Sequence, residues 1–381
     1  MADKIEFFKH NIGRREIADV VRTLRGLFLT TGDEVAKFEN DFAAFLGLPQ
    51  AVGLSSCTAA LQLSYTGLGV GPGHEVITTP LSFAATALAV IQAGATPVFV
   101  DVEPDTGNID PGLIEKAVTP RTRAISPVHL YGQLCDMKRI REIADRHGLV
   151  VVEDAAHALE AARDGVRTGE LGDAACFSFY PTKSITCGEG GAVATRHADL
   201  AEKIRLLRHH GMSRSAVQRY GKDDASYEIA EMGWKYNISN VQAALLHGQL
   251  ARAWKLHARR VRLMQVYRAG LAAVPGVCLL PEIPGSRHAD HLFTIHVPAR
   301  IRSEFFKGLR QRGIGVSINF KPIHLLKFFR DRFGLAEGDF PVAEAIGAST
   351  ISLPLYPRLT YAEARLVVEA VREIAAELGL R

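Results

Sequence analysis

The chain of 381 residues has no uninterrupted apolar run long enough to cross a bilayer. Its longest apolar stretch, 84–100, is broken by Gln92, Gly94 and Pro97, so it predicts a helix followed by a strand. The opening residues, MADKIEFFKH, are charged and lack an apolar signal core. Cysteine is scarce: five residues, an odd number with no C-x-x-C pair, which argues against a disulfide framework and against a zinc site. The net charge is only +4, too small for a nucleic-acid footprint. The basic clusters at 205–210 and 259–262 fall in helix-like segments and read as solvated faces or ligand contacts. Internal repeats and low-complexity tracts are also missing. What is left is the composition of an ordinary globular protein, 47% apolar and 23% charged. Its length suits one large domain plus a smaller one, and the cytoplasm is the expected setting.

Short apolar runs alternate with helical patterns along the first half. Segments 51–54, 75–79, 97–100, 123–127 and 149–153 predict strands, separated by helices near 58–66, 83–93, 111–118 and 137–147. Two earlier helices are expected at 14–25 and 33–45, the second with Asp33 as its N-cap. This alternation predicts an α/β fold with a mostly parallel sheet covered on both faces, whose ligands bind at the carboxyl ends of the strands. Beyond residue 195 the pattern changes. A helix at 198–210 precedes a polar, irregular stretch at 211–233, then a long helical run at 238–271. A strand at 292–297, a helix at 303–312, a strand at 315–318 and a final helix at 361–378 suggest a second, smaller α/β unit.

Three features follow predicted strands. In AACFSFYPTKSITCGEGGAVAT, a turn through Pro181 presents Lys183 between two apolar strands. A lysine held there is poorly hydrated, its pKa falls, and its neutral amine suits Schiff-base chemistry; the alternative is an ordinary exposed turn. In SSCTAAL, small hydroxyl residues open a helix and offer free N–H groups to a phosphate, or serve only as an N-cap. In VVVEDAAHA, Asp154 ends a strand of valines, where its carboxylate needs a partner such as a protonated ring nitrogen, unless it caps the next helix. His157, one turn on, could reach the same ligand or be structural. Ser178 alternates with Phe177 and Phe179 and so faces away from them, toward the phosphate position. The glycine-rich GLGVGPGH lies between a helix and a strand, the reverse of the dinucleotide-binding order.

A phosphate cradle, a strand-end aspartate and a turn lysine, in that order, resemble the aspartate-aminotransferase fold of pyridoxal-phosphate enzymes. More closely, the chain resembles the DegT/DnrJ/EryC1/StrS family of sugar aminotransferases. The resemblance runs nearly end to end through FKHNIG, TTGDEVAKFE, SSCTAAL, HEVITTPLSFAATALAV, PVHLYGQ, VVEDAAHA, FSFYPTKSITCGEGG, GWKYNISNVQAAL and KPIHLLKFF. It implies a seven-stranded sheet in a large cofactor-binding domain over 1–250. A linker helix and small domain would occupy 251–381, with the first 30 residues able to pack against the small domain.

The resemblance also implies roles. Lys183 matches the Schiff-base lysine, and Asp154 the carboxylate that pairs with the pyridine nitrogen. His157 takes the position beside the ring hydroxyl, and Phe83 that of the aromatic stacked on the ring. Ser56, Cys57, Thr58 and Ser178 match phosphate contacts. The family more often has Gly or Ala where Cys57 stands, which leaves a backbone N–H contact intact but puts a tight approach in doubt. Asn237 matches a phosphate ligand given by the neighbouring subunit, which implies a homodimer with shared sites. His324 matches a histidine at the sugar-binding mouth, with Tyr131 of PVHLYGQ a second substrate residue. Related dehydratases replace the lysine by histidine, so Lys183 favours transamination. The implied reaction moves an amino group from glutamate or glutamine to a nucleotide-diphosphate-linked keto sugar, most closely at C4. The family also contains C3-specific and keto-inositol enzymes, and a catalytically idle DegT-like regulator is a further alternative. No metal is implied.

Overall fold

A computed structural model describes residues 4–212 and 228–380. Its centre is a seven-stranded sheet in the order β1-β9-β8-β5-β4-β2-β3. The strands are β1 (Gln50–Leu54), β2 (Glu75–Thr78), β3 (Thr96–Phe99), β4 (Thr122–Ser126), β5 (Val150–Asp154), β8 (Ala174–Ser178) and β9 (Gly191–Thr195). Only β9 runs against its neighbours, β1 and β8; every other pairing is parallel. Parallel strands need crossovers, and helices supply them on both faces, which explains why β2 and β9 are buried along their whole length. Two apolar clusters sandwich the sheet on its β1–β9–β8 side. One is built on Leu61, Tyr65 and Ile204 and the other on Phe38, Phe42 and Phe177. The hairpin β6 (Ala162–Arg163) and β7 (Val166–Arg167) pairs with β10 (Ser286–Arg287), and β11 (Phe293–His296) pairs with β12 (Thr350–Leu353).

The C-terminal elements have their own core of Leu263, Tyr267, Phe293, Phe305, Ile351 and Val371. Ile5 belongs to it and bridges to Ile314, so the start of the chain packs on these last elements. Among the described residues, no helix is long and apolar enough to cross a membrane.

Several expectations need correction. The helix α2 (Asp33–Leu46) is capped by Gly32, not Asp33. Asn240, about two hundred positions away, performs the cap: its Oδ1 accepts from Val35 N at 3.2 Å, and a Cβ at position 32 would lie 2.8 Å from its Nδ2. The run at 238–271 is two helices, Asn240–Ala251 and Ala253–Leu271. They part at Arg252, whose guanidinium leaves the helical path to meet the buried Glu16 at 2.9 Å and the Asn11 carbonyl at 2.8 Å. No strand forms at 315–318, which contributes only the bridge from Ser317 to Ser352. Of the irregular stretch 211–233, residues 213–227 lie outside the described residues.

Candidate active site

The carboxyl ends of β5 and β8, the start of helix α3 (Cys57–Gly67) and a strap from the C-terminal elements enclose a cavity of about 510 Å3. Lys183 sits at its floor. The loop that carries it is closed on itself: Lys183 N donates to the Tyr180 carbonyl at 2.9 Å, and Phe179 N to the Gly190 carbonyl at 2.9 Å. Thr186 and Gln249 pin its return, with Gln249 Nε2 donating to the Thr186 carbonyl at 2.7 Å. The next residue, Ser184, donates to Glu160 at 3.1 Å, and Glu160 pairs with the buried Arg260 at 2.8 Å. Burial pulls the Lys183 pKa down to about 8, while Cys57 and Asp154 pull the other way. A substantial fraction of the amine is therefore neutral at working pH.

Asp154 ends β5 and faces the same cavity. Its Oδ2 accepts from Thr86 Oγ1 at 2.7 Å and its Oδ1 from Ala156 N at 3.1 Å, so the carboxylate is fixed in orientation. The N-terminus of α3 supplies a third group. Ser56 caps this helix, its hydroxyl accepting from Ala59 N at 3.1 Å. The N–H groups of the first helical residues, Cys57 and Thr58, have no intrahelical partners, and Ser178 lies beside them. Gly191 makes this cradle possible, because a Cβ there would lie 2.4 Å from the Ser56 carbonyl carbon. Cys57 directs its thiol at the Cys176 carbonyl, 3.4 Å away, and burial pushes its pKa well up, so it stays protonated.

His157 lines the cavity and is held neutral, its pKa pushed well down by burial with Lys183 adding to the effect. Its Nδ1 accepts from Tyr131 N at 3.2 Å, so the proton is on Nε2. Phe83 stands at the mouth, 65% exposed, with Phe320 across from it at 6.2 Å between ring centres.

Two expected site residues, Tyr131 and His324, are not brought to this cavity, and Asn237, expected to act in the neighbouring subunit's site, lies outside it as well. Tyr131 is buried behind it with φ of +59°, its hydroxyl donating to the Asn319 carbonyl. It holds His157 and the strap in place instead of facing a substrate. His324 is wholly buried, 2.8 Å from Glu344 and edge-on to Phe340, so it does not stand at a mouth. Asn237 is anchored on its own chain, where its amide donates to Thr31 Oγ1 at 2.8 Å and its backbone bridges the end of β1 at Leu54. It does not cap the following helix, which Ser239 and Gln242 cap reciprocally. Sequence reasoning also missed residues that do line the cavity: Thr86, His291, Ser317, Asn319 and Phe320. Thr86 was legible in principle, as the last residue of LSFAAT and the second residue of the helix Ala85–Gln92.

A lysine with a depressed pKa, a fixed carboxylate and a helix N-terminus at the end of a parallel sheet are the three contacts a pyridoxal phosphate demands: aldehyde, ring nitrogen and phosphate. The comparisons agree. The DegT/DnrJ/EryC1/StrS aminotransferase family model matches residues 10–372. The chain belongs to this family. It is a pyridoxal-phosphate-dependent sugar aminotransferase. It is 44% identical over 369 residues to the spore coat polysaccharide biosynthesis protein SpsC of Bacillus subtilis strain 168, covering 95% of both chains. Among solved structures it superposes on DesV of S. venezuelae with a TM-score of 0.89, at 39% identity over 98% of both chains. It also superposes on DesI, solved with its TDP-sugar product, with a TM-score of 0.88 at 33% identity, over 98% of this chain and 94% of DesI.

Proposed function

We propose that this aminotransferase moves the amino group of glutamate or glutamine to C4 of a nucleotide-diphosphate-linked keto sugar. One observation carries the choice of acceptor: Lys183 is the only lysine or arginine lining the cavity among the described residues. Beyond it the only other charged groups in the described lining are the carboxylates of Asp154 and Glu189, and the rest of the wall is formed by neutral groups such as His157, His291, Ser317, Asn319 and the two phenylalanines. An acceptor with its own carboxylate would need a cation there; a sugar needs hydrogen-bonding groups and apolar faces. The TDP-sugar product seen in DesI and the polysaccharide role named for SpsC support a nucleotide-linked sugar. C4 in preference to C3 rests on the resemblance of the HLFTIHV, KPIH and KYN segments.

Each group has a task in this reading. The N–H groups of Cys57 and Thr58, with Ser178, hold the phosphate at the positive end of α3. Asp154 keeps the ring nitrogen protonated, and His157 offers its Nε2–H to the ring hydroxyl. When bound, pyridoxal phosphate supplies an electron sink for the carbanion at the carbon that carries the amine. Lys183 Nζ takes the proton from the α-carbon of the donor and returns one to the sugar carbon as the new amine forms. Its pKa near 8 suits both directions. Phe83 and Phe320 cover the mouth and limit water.

A homodimer with shared sites is part of the proposal. The donor's carboxylates need cations this lining lacks, and a second subunit can bring them. Helix α1 (Arg14–Leu24) and the segment after it turn Ile17, Val21, Leu24, Leu27 and Leu29 outward, with Leu27 87% exposed, while Glu16 faces the core. An apolar stripe of that kind marks a contact face. Five free thiols fit the cytoplasmic setting we assign. The test is incubation with glutamate or glutamine and a panel of nucleotide-linked 3-keto and 4-keto sugars, with products read by mass and regiochemistry by NMR. Amination of a 4-keto sugar is expected; amination confined to 3-keto sugars or keto-inositols contradicts the assignment.

A further inference from the structure

The segment from His288 to Leu292 leads into β11 and forms part of the cavity wall, and it is built to do so. Ala289 N donates to the Gly132 carbonyl at 2.9 Å, and the N–H groups of His291 and Leu292 both donate to the Tyr131 carbonyl at 3.2 Å. Gly132, with φ of +108°, is needed at this crossing, since a Cβ would lie 3.1 Å from that of Ala289 and 3.2 Å from Asp290 N. Asp290 is locked as well: His288 lies 3.2 Å and His257 3.4 Å from its carboxylate, and these partners hold its pKa far below the usual range despite burial.

Within this fastened segment one polar side chain is left over. His291 is 6% exposed, and its ring packs on that of His157 with centres 4.3 Å apart. Neither of its ring nitrogens has a hydrogen-bond partner among the described residues. It lines the same cavity as Lys183 and also borders a small cleft of about 20 Å3 behind that lysine, too small for more than about one water. Burial pushes its pKa well down, with His157 and Lys183 adding to the effect, so the imidazole is neutral. A neutral imidazole is a poor partner for the donor's carboxylates. It carries one donor and one acceptor, which is what a sugar hydroxyl asks for. Its unpartnered nitrogens open onto the cavity, so a ligand hydroxyl can pair with them in place of water.

We propose that His291 is a specificity-determining residue that hydrogen-bonds a hydroxyl flanking the carbonyl of the keto sugar. The inference rests on the keto-sugar reading above and adds the residue that recognises the reactive end of that sugar.

The test measures two reactions on the cofactor-loaded enzyme. One is amination of dTDP- and UDP-linked 4-keto-6-deoxyhexoses. The other is exchange of isotope between glutamate and 2-oxoglutarate, which leaves the sugar out and also shows that the variant is folded. His291→Phe keeps a flat ring against His157 but removes both nitrogens; His291→Asn keeps a donor and an acceptor. For His291→Phe, kcat/KM for the sugar should fall about tenfold or more relative to its own exchange rate, with partial recovery in His291→Asn. Calorimetric affinity for the amino-sugar product should drop by a similar factor. An unchanged ratio with unchanged product affinity overturns the proposal. So does an equal fall in both reactions, which would make His291 a support for the cofactor site. Wild-type enzyme that exchanges glutamate label yet aminates no nucleotide-linked keto sugar contradicts the underlying acceptor reading, whatever the variants do.

Discussion

Thr86 Oγ1 donates to Asp154 Oδ2 at 2.7 Å, while the opposite oxygen of the same carboxylate accepts from the Ala156 backbone. The carboxylate at the end of β5 is thus aimed before any ligand arrives. Its charge can act on a ring nitrogen without reorganisation, which is where electrostatic catalysis gains most. Asp154→Asn should lose about 3 kcal/mol of transition-state stabilisation or more, roughly a hundredfold in kcat. Thr86→Val removes only the aim and should cost about 1 kcal/mol. Steady-state kinetics check both, and an Asp154→Asn enzyme with near-normal turnover would leave the aspartate a mere cap.

The depressed pKa of Lys183 has a pH signature. Below about 8 the side chain is an ammonium ion without a lone pair; above it the free amine can attack an aldehyde. The rate at which cofactor-free enzyme takes up pyridoxal phosphate should therefore rise with pH through about 8 and level off. A lysine on an open turn would keep gaining to about 10.4. Stopped-flow absorbance over pH 6–11 separates the two, and a midpoint above about 10 would mean the amine is not desolvated.

How much of this site was legible beforehand depends on where each residue sits in the chain. Lys183, Asp154, Ser56, Cys57, Thr58 and Ser178 lie at strand ends, where the alternation of strands and helices dictates position, and the structure brings them into one cavity. His291 and Phe320 come from about a hundred residues further on. No local pattern says that HADHL fastens to the Tyr131–Gly132 turn. His324 shows the opposite failure: a motif fixes where the backbone passes, not which way a side chain turns, and Glu344 draws this one inward. The strand expected at 315–318 failed because it pairs with Ser352 at one point only. The break at Arg252 was invisible because its cause, Glu16, lies at the other end of the chain.

A buried ion pair supports the lysine loop. Glu160 accepts from Arg260 at 2.8 Å and from Ser184, the neighbour of Lys183, at 3.1 Å, with both charged groups almost wholly buried. Removing one partner strands the other charge, so Glu160→Ala should cost about 3 kcal/mol or more of stability. Denaturant unfolding of the cofactor-free protein reads this, and a loss under about 1 kcal/mol would mean that water replaces the carboxylate.

Shared active sites predict complementation. Lys183→Ala and Asn237→Asp should each be inactive as homodimers, the second because it sets a negative charge against the phosphate. If Asn237 serves the neighbouring subunit, a mixed dimer carries both lesions in one site and leaves the other intact, so part of the activity returns on mixing. If each subunit completes its own site, mixing restores nothing.

The most direct test of Lys183 as the centre of the enzyme is chemical. The protein is loaded with pyridoxal phosphate, reduced with borohydride and digested, and the labelled peptide is sequenced by mass spectrometry. Attachment to Lys183 alone, within the peptide that carries Pro181 and Ser184, is the expected result. Label on another lysine, or none with cofactor in excess, would contradict it.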